Sequence, residues 1–263
     1  MNRLTFGFSP CPNDTFAFHA LVHGLVPSPR PIEPVLLDIE ELNRQAHTGA
    51  LALTKLSVGA MAAVGSRYRL LRSGAALGNG VGPLVVARSP RTLDEVARGR
   101  LAIPGRETTA YRLLRLAAPP LQDVHELRYD RILRAVADGD MDAGLIIHES
   151  RFTYADHGLV RIMDLGDWWE RATSLPVPLA GITVREDIDP WLAQEMEQAI
   201  RASVQYAFDH PEASADYVRA HAQEMSDDVC AQHIALYVNR FSLDIGELGA
   251  QAIARLVAQD GTA

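Results

Sequence analysis

His148 stands where an apolar run ends: Leu145-Ile146-Ile147 has the make-up of a buried strand, and His148-Glu149-Ser150-Arg151 follow it. An imidazole at the mouth of a cleft, partly desolvated, is suited to take a proton near neutral pH. The same residue can instead be a core histidine with a satisfied hydrogen bond, and both readings stay open. If the strand runs on, Glu149 points to the opposite face and need not partner His148. Three other short segments carry polar residues that a turn alone does not require. They are Ser9-Pro10-Cys11-Pro12-Asn13-Asp14, Lys55-Leu56-Ser57 and Arg106-Glu107-Thr108-Thr109-Ala110. A Gly-led loop that delivers Thr108 and Thr109 to a helix start offers backbone donors and hydroxyls together, which suits a carboxylate or a polyol. Either threonine can equally be no more than the helix N-cap. Lys55 can anchor an anion or be a solvated lysine at a strand end. Ser57 can cap the following helix and still face a ligand.

The elements that must position these residues are those of an α/β protein, since short apolar runs alternate with amphipathic segments. Strands are expected at 4–8, 34–37, 50–54, 70–73, 83–88, 101–103 and 143–147. Helices are expected at 15–22, 39–47, 92–98, 110–116 and 131–137, with a small-residue helix ending near 64. From residue 189 the chain reads as almost wholly helical, with segments at 190–209, 211–222 and 227–237 and a last helix from about 245. Two prolines make 9–14 a loop, and 55–57 reads as a turn. Open α/β sheets gather ligands beyond the carboxyl ends of their strands, where all four polar segments fall. The order helix, glycine, short spacer, apolar strand, polar turn occurs at 47–57 and again at 138–150, as two lobes of similar build would produce. Gly78-Asn79-Gly80-Val81-Gly82 lacks the final spaced glycine of a dinucleotide fingerprint and precedes a strand, so it reads as a bend. His19 and His23 lack the glutamate of a zincin motif. Trp168-Trp169 can cover an aromatic ligand or pack a lobe surface.

Composition narrows the class of function. The 263 residues are 48% hydrophobic and 22% charged, which fits a globular protein of one large domain or two small lobes. Acidic residues outnumber basic ones by 33 to 25, a net charge of −8, and no Lys/Arg cluster occurs. That balance argues against a nucleic-acid or anionic-membrane partner. Cys11 and Cys230, the two cysteines, lie outside any CxxC pattern; they exclude a thiolate zinc site and favour a reducing compartment. The opening residues 1–8 contain no apolar signal segment, and no uncharged stretch approaches the ~18 residues of a membrane span. A cytoplasmic protein is expected.

At the four polar segments the chain resembles the 1,4-dihydroxy-6-naphthoate synthases of the futalosine route to menaquinone. The motifs are Phe6-Gly7-Phe8-Ser9-Pro10-Cys11-Pro12-Asn13-Asp14-Thr15-Phe16, Leu53-Thr54-Lys55-Leu56-Ser57, Gly105-Arg106-Glu107-Thr108-Thr109-Ala110-Tyr111 and Gly144-Leu145-Ile146-Ile147-His148-Glu149-Ser150-Arg151-Phe152-Thr153-Tyr154. The resemblance implies a two-lobed α/β fold like that of type II periplasmic binding proteins, with an interlobe cleft and two crossover segments. Residues 1–85 with 180–263 would form one lobe and 86–179 the other. It implies a carbon–carbon lyase that acts on cyclic dehypoxanthine futalosine, a small-molecule carboxylate, without metal or organic cofactor. Carried over by position, His148 is the base, and Lys55, Leu56, Ser57, Thr109 and Ala110 contact substrate, with Thr108 beside them. Ser9, Asn13 and Asp14 match the first motif, and a place in the cleft is inferred for them. A chorismate dehydratase of the same pathway and a non-catalytic solute-binding protein are the competing readings. The oligomeric state is open.

Overall fold

The computed structural model describes residues 3–222 and 226–261. Its strands, in chain order, are β1 (Leu4–Phe8), β2 (Ile32–Leu36), β3 (Leu53–Ser57), β4 (Tyr68–Leu70), β5 (Ala76–Gly78), β6 (Leu84–Ala87), β7 (Arg100–Ile103), β8 (Asp123–Glu126), β9 (Ala143–Ile146), β10 (Val160–Asp164) and β11 (Val177–Arg185). Two compact units result: unit 1, Met1–Gly78 with Pro178–Ala263, and unit 2, Asn79–Val177. The boundary expected at 85 would cut β6, whose residues pair with both β9 and β10. The chain therefore changes unit earlier, after Gly78, and returns before Pro178. Among the described residues no helix is long and apolar enough to cross a membrane.

Unit 1 is built on a sheet of order β2-β1-β3-β11-β4, with β5 on β11. β1 runs parallel to β2 and β3, whereas β11 runs antiparallel to β3 and β4. A strand flanked on both sides and covered on both faces needs apolar residues throughout. β1 supplies Phe6 and Phe8, whose rings meet that of Phe18 at centroid distances of 5.0 to 5.3 Å. The long helix Pro190–Asp209 starts where Asp189 accepts from the Trp191 and Leu192 N–H groups and Pro190 takes the first turn. Its buried residues Met196, Ile200 and Val204 join this core. Ser203 fixes it to the helix Pro12–Val22, donating to the Ala17 carbonyl at 2.8 Å and accepting from the Leu21 N–H at 3.1 Å.

Two expectations in this unit are corrected. The helix Pro12–Val22 begins three residues before the expected start, with Cys11 as N-cap and Pro12 at the first helical position, where a missing N–H costs nothing. Asn13 and Asp14 are therefore first-turn residues. Lys55-Leu56-Ser57 is no turn but the second half of β3, paired Lys55↔Ile182 and Ser57↔Ala180 with β11.

Unit 2 is a sheet of order β10-β6-β9-β7-β8. β6 is antiparallel to β10 and β9; β7 is parallel to β9 and β8. Leu84, Val86, Ala102 and Ile146 pack with Ile132, Leu133 and Val136 of the helix Tyr129–Ala137 and with Leu159. The expected bend at 78–82 is held by named partners. Arg151 donates to the carbonyls of Gly82 at 2.9 Å and Gly80 at 3.3 Å, and Glu170 accepts from the Gly80 N–H at 2.7 Å. Backbone meets backbone here, since a Cβ at Gly166 would lie 1.9 Å from the Val81 carbonyl oxygen.

Candidate active site

Each unit presents its candidate residues at the carboxyl ends of parallel strands. In unit 1, the ends of β1 and β3 lie side by side, and the helix Pro12–Val22 starts just beyond β1. Asp14, in its first turn, is 2% exposed. Its Oδ2 accepts from the Ser9 N–H at 3.0 Å and the Ser9 hydroxyl at 2.6 Å, and its Oδ1 accepts from Asn13 Nδ2 at 2.8 Å. The fourth donor is the Lys55 ammonium, itself 4% exposed. A carboxylate with four acceptor sites filled and a cation beside it can be buried as an ion, and so can the lysine. Lys55 is the only lysine among the 25 basic residues of the chain. An ammonium is a compact charge with three donors, which an arginine fork does not replace. Ser9, Asn13, Asp14 and Lys55 thus form one network.

The other unit 1 residues divide. Ser57 occupies the N-cap position of the helix Val58–Val64 but makes no cap with its side chain. Its hydroxyl instead accepts from Asn43 Nδ2 at 3.0 Å, and its N–H donates to Asn43 Oδ1 at 2.9 Å. Asn43 Nδ2 also donates to Glu40 at 3.2 Å. Both are buried polar residues that the sequence reading passed over. The signal was available, because Ile39, Leu42, Asn43 and Ala46 share the buried stripe of the helix Ile39–Ala46. Leu56 alternates away from Lys55 and Ser57, and its side chain packs with Ala46, Val64 and Tyr68. Its backbone lies in the sheet, opposite Gly181 of β11.

In unit 2, Thr108 is the N-cap of the helix Thr109–Ala117, accepting from the Tyr111 N–H at 3.2 Å and donating to the Gly105 carbonyl at 2.8 Å. Its hydroxyl is committed to the fold. Thr109 and Ala110 are the first helical residues, both buried, and come before the first intrahelical bond, Arg112 N–H to the Thr108 carbonyl. The dipole of that helix start favours an anion.

β9 ends at Ile146, and two residues later His148 has φ 57°, the left-handed region that costs a non-glycine residue energy. The strand does not run on, so the expected opposition of His148 and Glu149 is lost. Glu149 caps the short helix Ser150–Thr153 in an α-helical conformation, and its carbonyl accepts from the Phe152 N–H at 2.8 Å. A ring nitrogen of His148 and a carboxylate oxygen of Glu149 lie within 4.8 Å of one another. The Tyr129 ring meets the His148 ring edge to face, centroids 4.9 Å apart. Burial pushes the Glu149 carboxyl above the ordinary range, and the negative Asp130 acts in the same direction. Arg128 holds Asp130 below the usual range through a side-chain hydrogen bond. Arg151 anchors the whole turn, adding a 2.7 Å bond to Asp164 to those it makes with Gly80 and Gly82. Trp169 packs fully buried, its indole N–H donating to the Pro176 carbonyl at 3.1 Å.

Residues 4–259 match a family model described as menaquinone biosynthesis. The 1,4-dihydroxy-6-naphtoate synthase of Thermus thermophilus is 59% identical over 259 residues, 98% of this chain and 94% of that protein. The enzyme of the same name from Streptomyces coelicolor is 43% identical, covering 98% and 93%. Among solved structures, protein AF1704 of Archaeoglobus fulgidus superposes with a TM-score of 0.92 at 36% identity, covering 97% of this chain and 96% of that one. A ligand-binding component of an ABC-type import system from Staphylococcus aureus gives a TM-score of 0.71 at 18% identity, covering 98% and 92%. That second likeness shows the fold, which is periplasmic-binding-protein-like. A match that runs from β1 to the last helix takes in every strand end described above, and the chain belongs to the menaquinone biosynthesis family.

Proposed function

We propose that the protein is a lyase that converts cyclic dehypoxanthine futalosine to 1,4-dihydroxy-6-naphthoate, acting in the cytoplasm. The observation that carries the reading is His148, an imidazole just beyond a buried strand, with a left-handed backbone and an edge-on tyrosine. In this reading neutral His148 removes a hydroxyl proton from the substrate. The oxygen forms a carbonyl, the adjacent carbon–carbon bond breaks, and the ring becomes aromatic. Aromatisation supplies the drive, so the protein has to move protons and exclude water. The cleavage balances with proton transfers alone and calls for no metal or organic cofactor.

Each unit, taken by itself, offers candidate substrate contacts. The start of the helix Thr109–Ala117, at Thr109 and Ala110, is suited to a carboxylate. Lys55 and Ser57 serve polar groups of the substrate, with Leu56 contributing its backbone. Ser9, Asn13 and Asp14 act one step back, as the counter-charge that keeps the Lys55 ammonium in place. Thr108 acts through the cap alone. The partner is this small carboxylate, and neither a nucleic acid nor a membrane is invoked.

The experiment is direct. Purified protein is incubated separately with cyclic dehypoxanthine futalosine and with chorismate, and naphthoate absorbance is followed. Naphthoate from the first substrate alone is expected. Dehydration of chorismate, or binding without turnover, overturns the reading in favour of the sister dehydratase or a solute-binding protein.

A further inference from the structure

We infer that Glu149 is the proton donor that completes the cleavage, a role that rests on the reading just given. A base that takes a hydroxyl proton leaves the step half finished, because the electron pair of the broken carbon–carbon bond enters the ring and needs a proton there. Glu149 sits beside the base. Its Oε2 is shut off from solvent and has no hydrogen-bond partner, and the carboxylate reaches within 4.8 Å of the imidazole. Such an orphaned oxygen is costly for an ionised carboxylate and tolerable for a neutral acid. Within unit 2 the titratable and charged groups around it are His148, Tyr129 against the His148 ring, and Asp130 with its partner Arg128. Burial raises the Glu149 carboxyl above its ordinary range, its own backbone N–H acts the other way, and Asp130 adds a smaller upward push.

Charge coupling sets the order of events. While His148 is neutral, only the backbone N–H of Glu149 itself works toward its ionised form. Once His148 takes the substrate proton, an imidazolium stands within 4.8 Å and the carboxylate becomes favourable. The acid strengthens at the moment the ring needs a proton. The steps balance. His148 gains the hydroxyl proton, the O–H pair becomes the carbonyl bond, the carbon–carbon bond breaks, and Glu149 gives its proton to the ring. The imidazolium proton then passes to the Glu149 carboxylate and both groups are reset.

The test uses the full chain with cyclic dehypoxanthine futalosine, comparing wild type, Glu149→Gln and Glu149→Asp across pH. Gln should lower kcat about 10²-fold with KM within threefold and should remove the fall of kcat on the alkaline side. Asp should keep part of the rate and keep an alkaline fall. A stability readout needs no turnover. A carboxyl raised on folding gives stability present below its unfolded pKa, about 4.3, and lost as pH rises through the folded value. The Gln variant should therefore gain in urea midpoint relative to wild type as pH rises across that window. Wild-type kcat in the Gln variant, an alkaline fall that stays in place, or a midpoint difference independent of pH overturns the assignment. If the Gln variant does not fold, the Asp variant decides, since its alkaline fall moves when this residue sets it and stays when another does. A wild-type protein that makes no naphthoate overturns the functional reading itself.

Discussion

Asparagine is the informative replacement at position 148, because it tolerates the left-handed backbone there better than other side chains and cannot accept a proton at physiological pH. His148→Asn should lower kcat by about 10²–10⁴ and leave KM within a few fold. Steady-state kinetics on the cyclic substrate check this; turnover near the wild-type rate would make His148 a satisfied strand-end histidine. The same reasoning about unpaired groups applies to Lys55, with the emphasis on stability. Both it and Asp14 are almost wholly buried, so removing one leaves the other as an uncompensated ion. Lys55→Met should cost about 3–5 kcal/mol in urea unfolding. Adding Asp14→Asn should recover part of that loss, because the remaining amide can be buried without a counter-charge. A Lys55→Met protein as stable as wild type would mean the pair does not hold the end of β3.

At the start of the helix Thr109–Ala117, adjacent threonines separate folding from binding. Thr108→Ala removes the cap to Tyr111 and should cost about 1 kcal/mol of stability with KM little changed. Thr109→Val should leave the cap in place and weaken substrate binding by about 1–3 kcal/mol, the usual cost of an unsatisfied partner. Thermal melts and KM for the pair of variants check the division; the opposite pattern would exchange the two roles. Caps are also what made the elements legible. Asp189 before Pro190, and Ser226 before Asp227–Tyr237, mark their helix starts in the sequence as they do in the fold. The strand 4–8 is marked by its own apolar residues. β8 escaped notice because Asp-Val-His-Glu is polar, which an edge strand paired only with β7 permits. Lys55 and Ser57 looked like a turn because their charge and polarity are neutralised by Asp14 and Asn43, residues distant in sequence. The turn at His148 was hidden for a related reason: nothing local announces a left-handed backbone, and Arg151 fixes it through Gly80, Gly82 and Asp164. The candidate residues could be named from motifs; which of them pair as counter-charges and which bond to distant side chains depends on these long-range partners.

The chain leaves unit 1 after Gly78 and returns at Pro178, so unit 2 is one continuous stretch and unit 1 is not. Every strand of the unit 2 sheet, and the buried cluster from Leu84 to Leu159, lies inside that stretch. Its pairings can form as soon as residues 79–177 are made. Unit 1 has to wait. β11 lies between β3 and β4 in its sheet, and pairs Lys55 with Ile182 and Leu70 with Thr183 across the whole of unit 2. Contacts so far apart in sequence carry a large closure entropy and form slowly. The end of β3, with Lys55 and Ser57, is thus completed last, although its partners Asp14 and Asn43 are synthesised early. Refolding followed by pulsed hydrogen exchange should show amides of β6, β7 and β9 protected before those of β3, β4 and β11. The fragment 79–177 expressed alone should unfold cooperatively in urea. A disordered fragment, or simultaneous protection of both sheets, would show that unit 2 needs unit 1 to fold.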